Sequence, residues 1–316
     1  MTTAFYTHPD CKLHEMGSWH PESPARLQAI EDQLIASRID SFLDYREAPE
    51  ADIAQIMRVH SADAVALIRD HVPSSTELVP GYYPLDGDTS LNAYSWRAAL
   101  RAAGAAVAAT DAVIRGELDN AFCSVRPPGH HATPSEAMGF CLFNNVAIAA
   151  THALTAHGLQ RVAVVDFDVH HGNGTDAAFA NEPRVVMVSF FQHPFYPYSG
   201  TGNVRHANPL TINVPVPAYT DGDAVRQLVT EKWLPALHAH RPEMIFISAG
   251  FDAHREDDIG QMRLVEADYA WITQQIMDVA RQYAKGRIVS CLEGGYNLSA
   301  LSRSVVAHLK VLAELD

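Results

Sequence analysis

Within the segment DFDVHHGNG, Asp166, Asp168 and His170 are spaced by two residues, so an extended chain end would send all three side chains the same way. That is chelating geometry. Asp168, His170 and the distant Asp252 combine two carboxylates with one imidazole, a donor set that suits Zn²⁺ or Fe²⁺ with a position left open for water. No thiolate joins the set, which argues against a purely structural zinc site. Two adjacent histidines, His130 and His131, follow a stiff Pro-Pro-Gly turn. They are suited to general base and acid work beside such a metal, each oriented by a carboxylate or amide on its far nitrogen. Tyr296, on a Gly-Gly turn, is suited to donate to a developing oxyanion.

Elements that position these residues are readable from residue 90 onward, where short β-branched runs alternate with helical stretches. The runs are AFCSV (121–125), RVAVVDF (161–167), RVVMVSF (184–190), TINVPV (211–216), EMIFISAG (243–250) and RIVSCL (287–292). Between most of them lie amphipathic stretches such as NAYSWRAALRAAGAAVAATDAVIRG and EADYAWITQQIMDVARQYA. This rhythm predicts a parallel sheet. Four runs are apolar on both alternating faces, as strands covered by helices on each side must be, so the fold class is α/β with three layers, α/β/α. Nothing in the alternation marks a linker, and a single domain over 1–316 is expected. The first ninety residues read as mostly helix and loop.

In open parallel sheets ligands bind beyond the carboxyl ends of the strands. Polar residues gather there. Arg126-Pro-Pro-Gly-His130-His131 follows the first run and Asp166 to Gly174 the second, while Ser189 closes the third; Gly250-Phe-Asp252 and Glu293-Gly-Gly-Tyr296 follow the last two. The loops at 72–90 and 191–210, rich in Pro, Gly and aromatics, read as functional surface.

Composition narrows the function classes. With 47% hydrophobic and 19% charged residues, the chain has the profile of a soluble globular protein. Its net charge of −14 opposes direct contact with phosphate backbones or anionic lipid, so neither nucleic acid nor membrane is an expected partner. A homo-oligomer is compatible with the same composition. Cys11, Cys123, Cys141 and Cys291 are far apart, form no CxxC pair and sit in apolar segments, as in a reducing compartment. No basic, apolar leader opens the sequence, and a cytoplasmic location is expected.

Taken singly, each piece has a plainer reading. Asp166 or Asp252 alone reads as a helix cap, Tyr296 as a packed aromatic and Ser189 as a loop cap. The scattered His152, His157, His193, His206, His238, His240 and His308 read as solvated or hydrogen-bonded histidines. What these readings leave unexplained is the convergence on one rim.

In order and spacing, RPPGHH, DFDVHHGNGT, AGFDAH and EGGYN resemble the arginase/deacetylase superfamily and, within it, the zinc-dependent histone deacetylase-like amidohydrolases. The resemblance runs from about His20 to the C-terminus. It implies one α/β domain with an eight-stranded parallel sheet. It also implies that Asp168, His170 and Asp252 bind Zn²⁺, that Tyr296 helps polarise the scissile amide carbonyl, and that a metal-activated water attacks. His131 would be general base, His130 its electrostatic partner and Asp166 the residue that orients His130. A monovalent cation, K⁺ or Na⁺, is implied at Asp166, Asp168, His170, Ser189 and Phe190. Gly139, Phe140 and Tyr196 would line a narrow tunnel for the methylene stem of an acylated amine, with Gly294 also at the substrate site and Asp88 at the rim.

Two departures refine the branch. Asn173 stands where one class of these enzymes has Asp behind the second histidine, and with Glu293 it resembles the class II and bacterial branch. Asn173 should leave His131 less basic than a carboxylate would. Ile259 occupies the place where a polyamine-selective enzyme carries a gatekeeper Glu. The implied activity is removal of acetyl or another short acyl group from an acylated primary amine such as N-acetyl-lysine, with an acetylpolyamine or other small-molecule deacetylase as the alternative. A binuclear manganese ureohydrolase fits less well because the motifs supply one full metal site. A catalytically idle acyl binder fits less well because His130, His131 and Tyr296 are all retained.

Overall fold

The computed structural model describes residues 1–74, 81–201 and 208–315. Parts of both loops expected as functional surface, and His206, lie outside the described residues. Ten strands are described: β1 Thr3–Thr7, β2 Asp44–Glu47, β3 Tyr83–Pro84, β4 Ser90–Leu91, β5 Asn120–Cys123, β6 Val162–Asp166, β7 Val185–Gln192, β8 Thr211–Val216, β9 Met244–Ala249 and β10 Ile288–Leu292. β3 and β4 form a short antiparallel hairpin, and the other eight form one sheet in the order β2-β1-β5-β10-β9-β6-β7-β8. Every neighbouring pair in that sheet is parallel. The expected eight-stranded parallel sheet between helices is therefore the observed one.

The central strands explain why the sequence read as it did. β5, β6, β9 and β10 are buried at every position, so β-branched and aliphatic residues face helices on both sides. The edges differ. β2, with sequence DYRE, alternates between half-buried and exposed, and β8 carries Pro215, which an edge strand tolerates because its missing N–H breaks no inner ladder. The first ninety residues are mostly helix and loop, as expected, but they also supply β1 and β2 to the main sheet and β3 to the hairpin. β2 is four residues long and mostly polar, so no apolar run announces it.

Helices Ser95–Ile114, Asn145–Thr155, Glu266–Tyr283 and Leu298–Leu312 cover the faces. Asn144 caps its helix by accepting from the Ala147 N–H at 2.9 Å, and Asn297 caps the last one by accepting from Ala300 N–H at 3.0 Å. The helical stretch between β8 and β9 is interrupted: Val229–Trp233 winds as a π-helical turn between Gly222–Leu228 and Leu234–His240. Trp233 stacks on Phe190 and donates its indole N–H to the Ser189 carbonyl at 3.3 Å. No helix among the described residues is long and apolar enough to cross a membrane.

Candidate active site

The chain segments leaving β5, β6, β9 and β10 meet at one end of the sheet. β6 ends at Asp166, and the three residues Asp166, Asp168 and His170 do not continue an extended strand. Asp166 Oδ1 accepts the Asp168 N–H at 3.1 Å, and Asp168 Oδ1 accepts the His170 N–H at 2.9 Å. Such side-chain-to-backbone bonds two residues on bend the chain. They separate the three groups: Asp166 turns to His130, while Asp168 and His170 turn to Asp252.

Asp168, His170 and Asp252 are buried and their donor atoms converge. His170 Nδ1 lies 2.9 Å from Asp168 Oδ1 and 3.2 Å from Asp252 Oδ2. Asp252 Oδ2 is buried without an aligned hydrogen-bond donor among the described residues. Burial alone would lower His170, yet the two carboxylates beside it raise it to about 9. Burial and the neighbouring Asp168 push Asp252 up to about 7. Two buried carboxylates so close call for a cation, and this donor set fits a divalent metal. The surroundings keep the space open. Gly294 donates its N–H to Asp168 Oδ2 at 2.9 Å, and a Cβ at Gly294 or Gly250 would collide with the carboxylates.

The two histidines beside this group have opposite tendencies. His130 Nδ1 meets Asp166 Oδ2 at 3.0 Å; burial opposes its charge, but Asp168 and Asp166 raise its pKa well above the usual value. His131 Nδ1 meets the Asn173 amide oxygen at 2.7 Å, and burial with the charges of His130 and His170 pushes its pKa well below. The two imidazoles thus differ in surroundings: His130 faces a carboxylate that favours its charged form, and His131 a neutral amide. Glu293 fixes the turn that carries both, accepting the Gly129 N–H at 2.6 Å and the His130 N–H at 3.1 Å. Burial, then Asp252, keeps the Tyr296 hydroxyl far above its usual pKa, so it remains a donor.

A cavity of about 170 Å³ reaches this group, lined by Asp88, Gly139, Phe140, Phe195, Tyr196 and Ile259, with His131, His170 and Tyr296 at its chemical end. Phe195 stacks on His170 with ring centres 5.1 Å apart, and Tyr196 meets His131 edge-on at 5.2 Å. Gly139 must be glycine here. Its φ is +57°, and a Cβ would press into the His131 ring.

Residues 20–312 match the family model "Histone deacetylase domain". The chain belongs to the histone deacetylase domain family. It is 35% identical to the histone deacetylase-like amidohydrolase of Pseudomonas aeruginosa, over 93% of this chain and 82% of that one. It is 34% identical to a probable deacetylase of Archaeoglobus fulgidus, over 100% of this chain and 88% of that one. A type-2 histone deacetylase of Dictyostelium discoideum is 34% identical over 99% of this chain, which spans only 21% of that longer protein. The crystal structure of the HDA15 HD domain superposes with a TM-score of 0.91 at 34% identity, covering 99% of this chain and 90% of that one.

Within this histone deacetylase domain several expected positions need adjustment. Ser189 does not close its strand, because β7 runs on to Gln192; its hydroxyl donates to Asn213 Oδ1 at 2.6 Å. The Phe190 side chain is buried against Trp233. Gly294 lies under the metal-capable carboxylates and is not part of the cavity wall. Arg126, expected on the rim, is fully buried and pairs with Glu22.

Sequence reasoning also missed residues. Phe195 lines the cavity beside the expected Tyr196, and its place in PFYPYSG was the available signal. Glu22 and Arg26 gave none, since apart from their bond to each other their partners Arg126 and the 293–295 turn are more than a hundred residues away in sequence. Arg26 donates to the carbonyls of Glu293 and Gly295 at 2.5 and 2.6 Å and lies over the Tyr296 ring.

A second metal-capable group joins Asp111 of helix Ser95–Ile114 to His152 of helix Asn145–Thr155 and to His157. His152 and His157 point Nε2 at Asp111 Oδ1, at 2.8 and 2.6 Å. Arg58 lies 2.7 Å from His152 Nδ1 and has only hydrogens to give, so His152 keeps its proton on Nε2. This is a hydrogen-bonded trio, as the reading of His152 and His157 anticipated.

Proposed function

We propose that this histone deacetylase-family chain is, over 1–316, a Zn²⁺-dependent amidohydrolase that removes acetyl or another short acyl group from an acylated primary amine. The observation that carries this reading is the aromatic-walled cavity lined by His131, His170 and Tyr296, whose His170 belongs to the buried metal-capable group with Asp168 and Asp252. Bound there, Zn²⁺ supplies Lewis acidity that makes water nucleophilic at neutral pH and polarises a carbonyl.

The rest is done by the chain. The walls of Phe140, Phe195 and Tyr196 accept a methylene stem and exclude bulk water. His131, held by Asn173 with its Nδ1 protonated, takes the proton of the attacking water on Nε2 and passes it to the leaving amine. His130, kept charged by Asp166, offsets the negative charge that develops. Tyr296 donates its O–H to the developing oxyanion. The amide C–N bond breaks, the amine leaves with the proton from His131, and the acid keeps the water oxygen with its second proton, which it gives up to solvent as it becomes the carboxylate.

Our reading also places K⁺ or Na⁺ beneath the site, on oxygens of Asp166, Asp168, His170, Ser189 and Phe190. Asp88 at the cavity mouth supplies an acceptor for polar groups flanking the acylated amine. The apolar Ile259 in the wall favours an acyl-lysine stem over an acetylated polyamine, whose second cation would find no carboxylate there.

The test is acetate release by the zinc-loaded protein from acetyl-lysine peptide, acetylpolyamines and longer acyl-lysines, with hydroxamate inhibition. Hydroxamate-sensitive turnover is expected, with Tyr296→Phe lowering it by about two to three decades while metal stays bound. Silence on every substrate would overturn the reading, and preference for acetylpolyamines would move it to the small-molecule alternative.

A further inference from the structure

The turn that carries Tyr296 is held from two sides. Arg26 takes its carbonyls, those of Glu293 and Gly295. Its amides go elsewhere. Asp257, buried in the loop after β9, accepts the Tyr296 N–H at 2.7 Å and the Asn297 N–H at 3.0 Å on one carboxylate oxygen. Its other oxygen accepts the Ile259 N–H at 3.0 Å. One side chain therefore ties together two residues that line the same cavity, Tyr296 at the chemical end and Ile259 in the wall.

Local geometry leaves the turn dependent on this carboxylate. Gly295 sits at φ +119°, a conformation with no side-chain restraint of its own, immediately before Tyr296. The N–H groups of Tyr296 and Asn297 precede the helix Leu298–Leu312, where backbone donors have no partner within the helix. Asp257 satisfies both with a charge-assisted acceptor, which fixes where the Tyr296 Cα, and so its hydroxyl, stands.

We infer that Asp257 is a positioning residue: it sets the Tyr296 hydroxyl against the reacting carbonyl and couples that hydroxyl to the cavity wall at Ile259. This rests on the proposed amidohydrolase reading and on the donor role of Tyr296 within it. Displacing a catalytic group by about 1 Å costs on the order of a hundredfold in rate.

The test is a double-mutant cycle on zinc-loaded protein with the best substrate of the panel. Asp257→Asn, which keeps the shape but puts an amide where two N–H groups need an acceptor, lowers kcat by about ten- to a hundredfold. Metal content stays unchanged. In the Tyr296→Phe background the same substitution has little further effect, because the hydroxyl it positions is already gone. Amide hydrogen exchange in metal-free protein shows faster exchange at 293–298 in Asp257→Asn, with the strands unchanged. Asp257→Ser, smaller and neutral, serves the same cycle if the amide variant folds poorly.

An equal loss in both backgrounds, or no change in kcat and in exchange, overturns the role of Asp257. A Tyr296→Phe variant with unimpaired turnover overturns instead the reading on which it rests, so the two failures are separable.

Discussion

His131 Nδ1 lies 2.7 Å from the Asn173 amide oxygen, whereas the adjacent His130 sends its Nδ1 to the Asp166 carboxylate at 3.0 Å. An uncharged acceptor and a charged one thus stand behind two touching imidazoles, and in our reading this difference makes His131 the base. Asn173→Asp supplies the missing charge and raises the basicity of His131. In our reading His131 must be unprotonated to act, so the acidic limb of the kcat/KM profile moves to higher pH by about one unit or more. A limb that stays in place removes His131 from the role of base.

In our reading the buried carboxylates make the activity metal-dependent. Dialysis against a chelator abolishes acetate release and Zn²⁺ restores it, while Asp252→Ala lowers bound metal from about one ion per chain to near none. Metal analysis alongside circular dichroism checks this, since the sheet should persist. Full metal content in Asp252→Ala would place the ion elsewhere.

Acid sensitivity has an identifiable source in His308. Fully buried, with Thr273 and Ser290 hydroxyls at 2.7 and 3.0 Å, it has its pKa lowered by burial from 6.5 to about 3. The unfolded chain therefore binds a proton below pH 6.5 that the folded chain refuses. Its contribution to stability is full above pH 6.5 and is lost as pH falls toward about 3, at about 1.4 kcal/mol per pH unit. His308→Gln removes this term. Urea unfolding between pH 7 and 5 should show the stability gap between wild type and variant narrowing toward acid, and a constant gap would contradict it.

Glu22 anchors the other buried charges. Its carboxylate receives Arg126 Nη2 at 2.6 Å and Arg26 Nη1 at 3.0 Å, with all three side chains out of solvent. Burial would raise its pKa, but Arg126 and Arg26 hold it down to about 2. Glu22→Gln leaves two guanidiniums without a counter-charge and destabilises by about 3–5 kcal/mol. Denaturant unfolding measures the loss, and a change below about 1 kcal/mol would show that the backbone carbonyls around Arg126 and Arg26 compensate.

The residues themselves determined the α/β class, the central strands and the metal-capable trio, because burial on both faces writes continuous apolar runs and because strand ends collect the polar residues left over. β6, with every position buried, was readable for that reason. β2 was not, since an edge strand exposes alternate residues and DYRE has no apolar signature. Local spacing also misled at Asp166, where side-chain bonds to the following amides bend the chain and part its carboxylate from that of Asp168. Only the tertiary structure decided that Glu22 and Arg26 would lie beneath the turn of Tyr296, that Phe195 would stack on His170, and that Asp257 would hold the Tyr296 amide. Those contacts join segments far apart in sequence, and no local pattern encodes a partner that arrives only when the sheet closes.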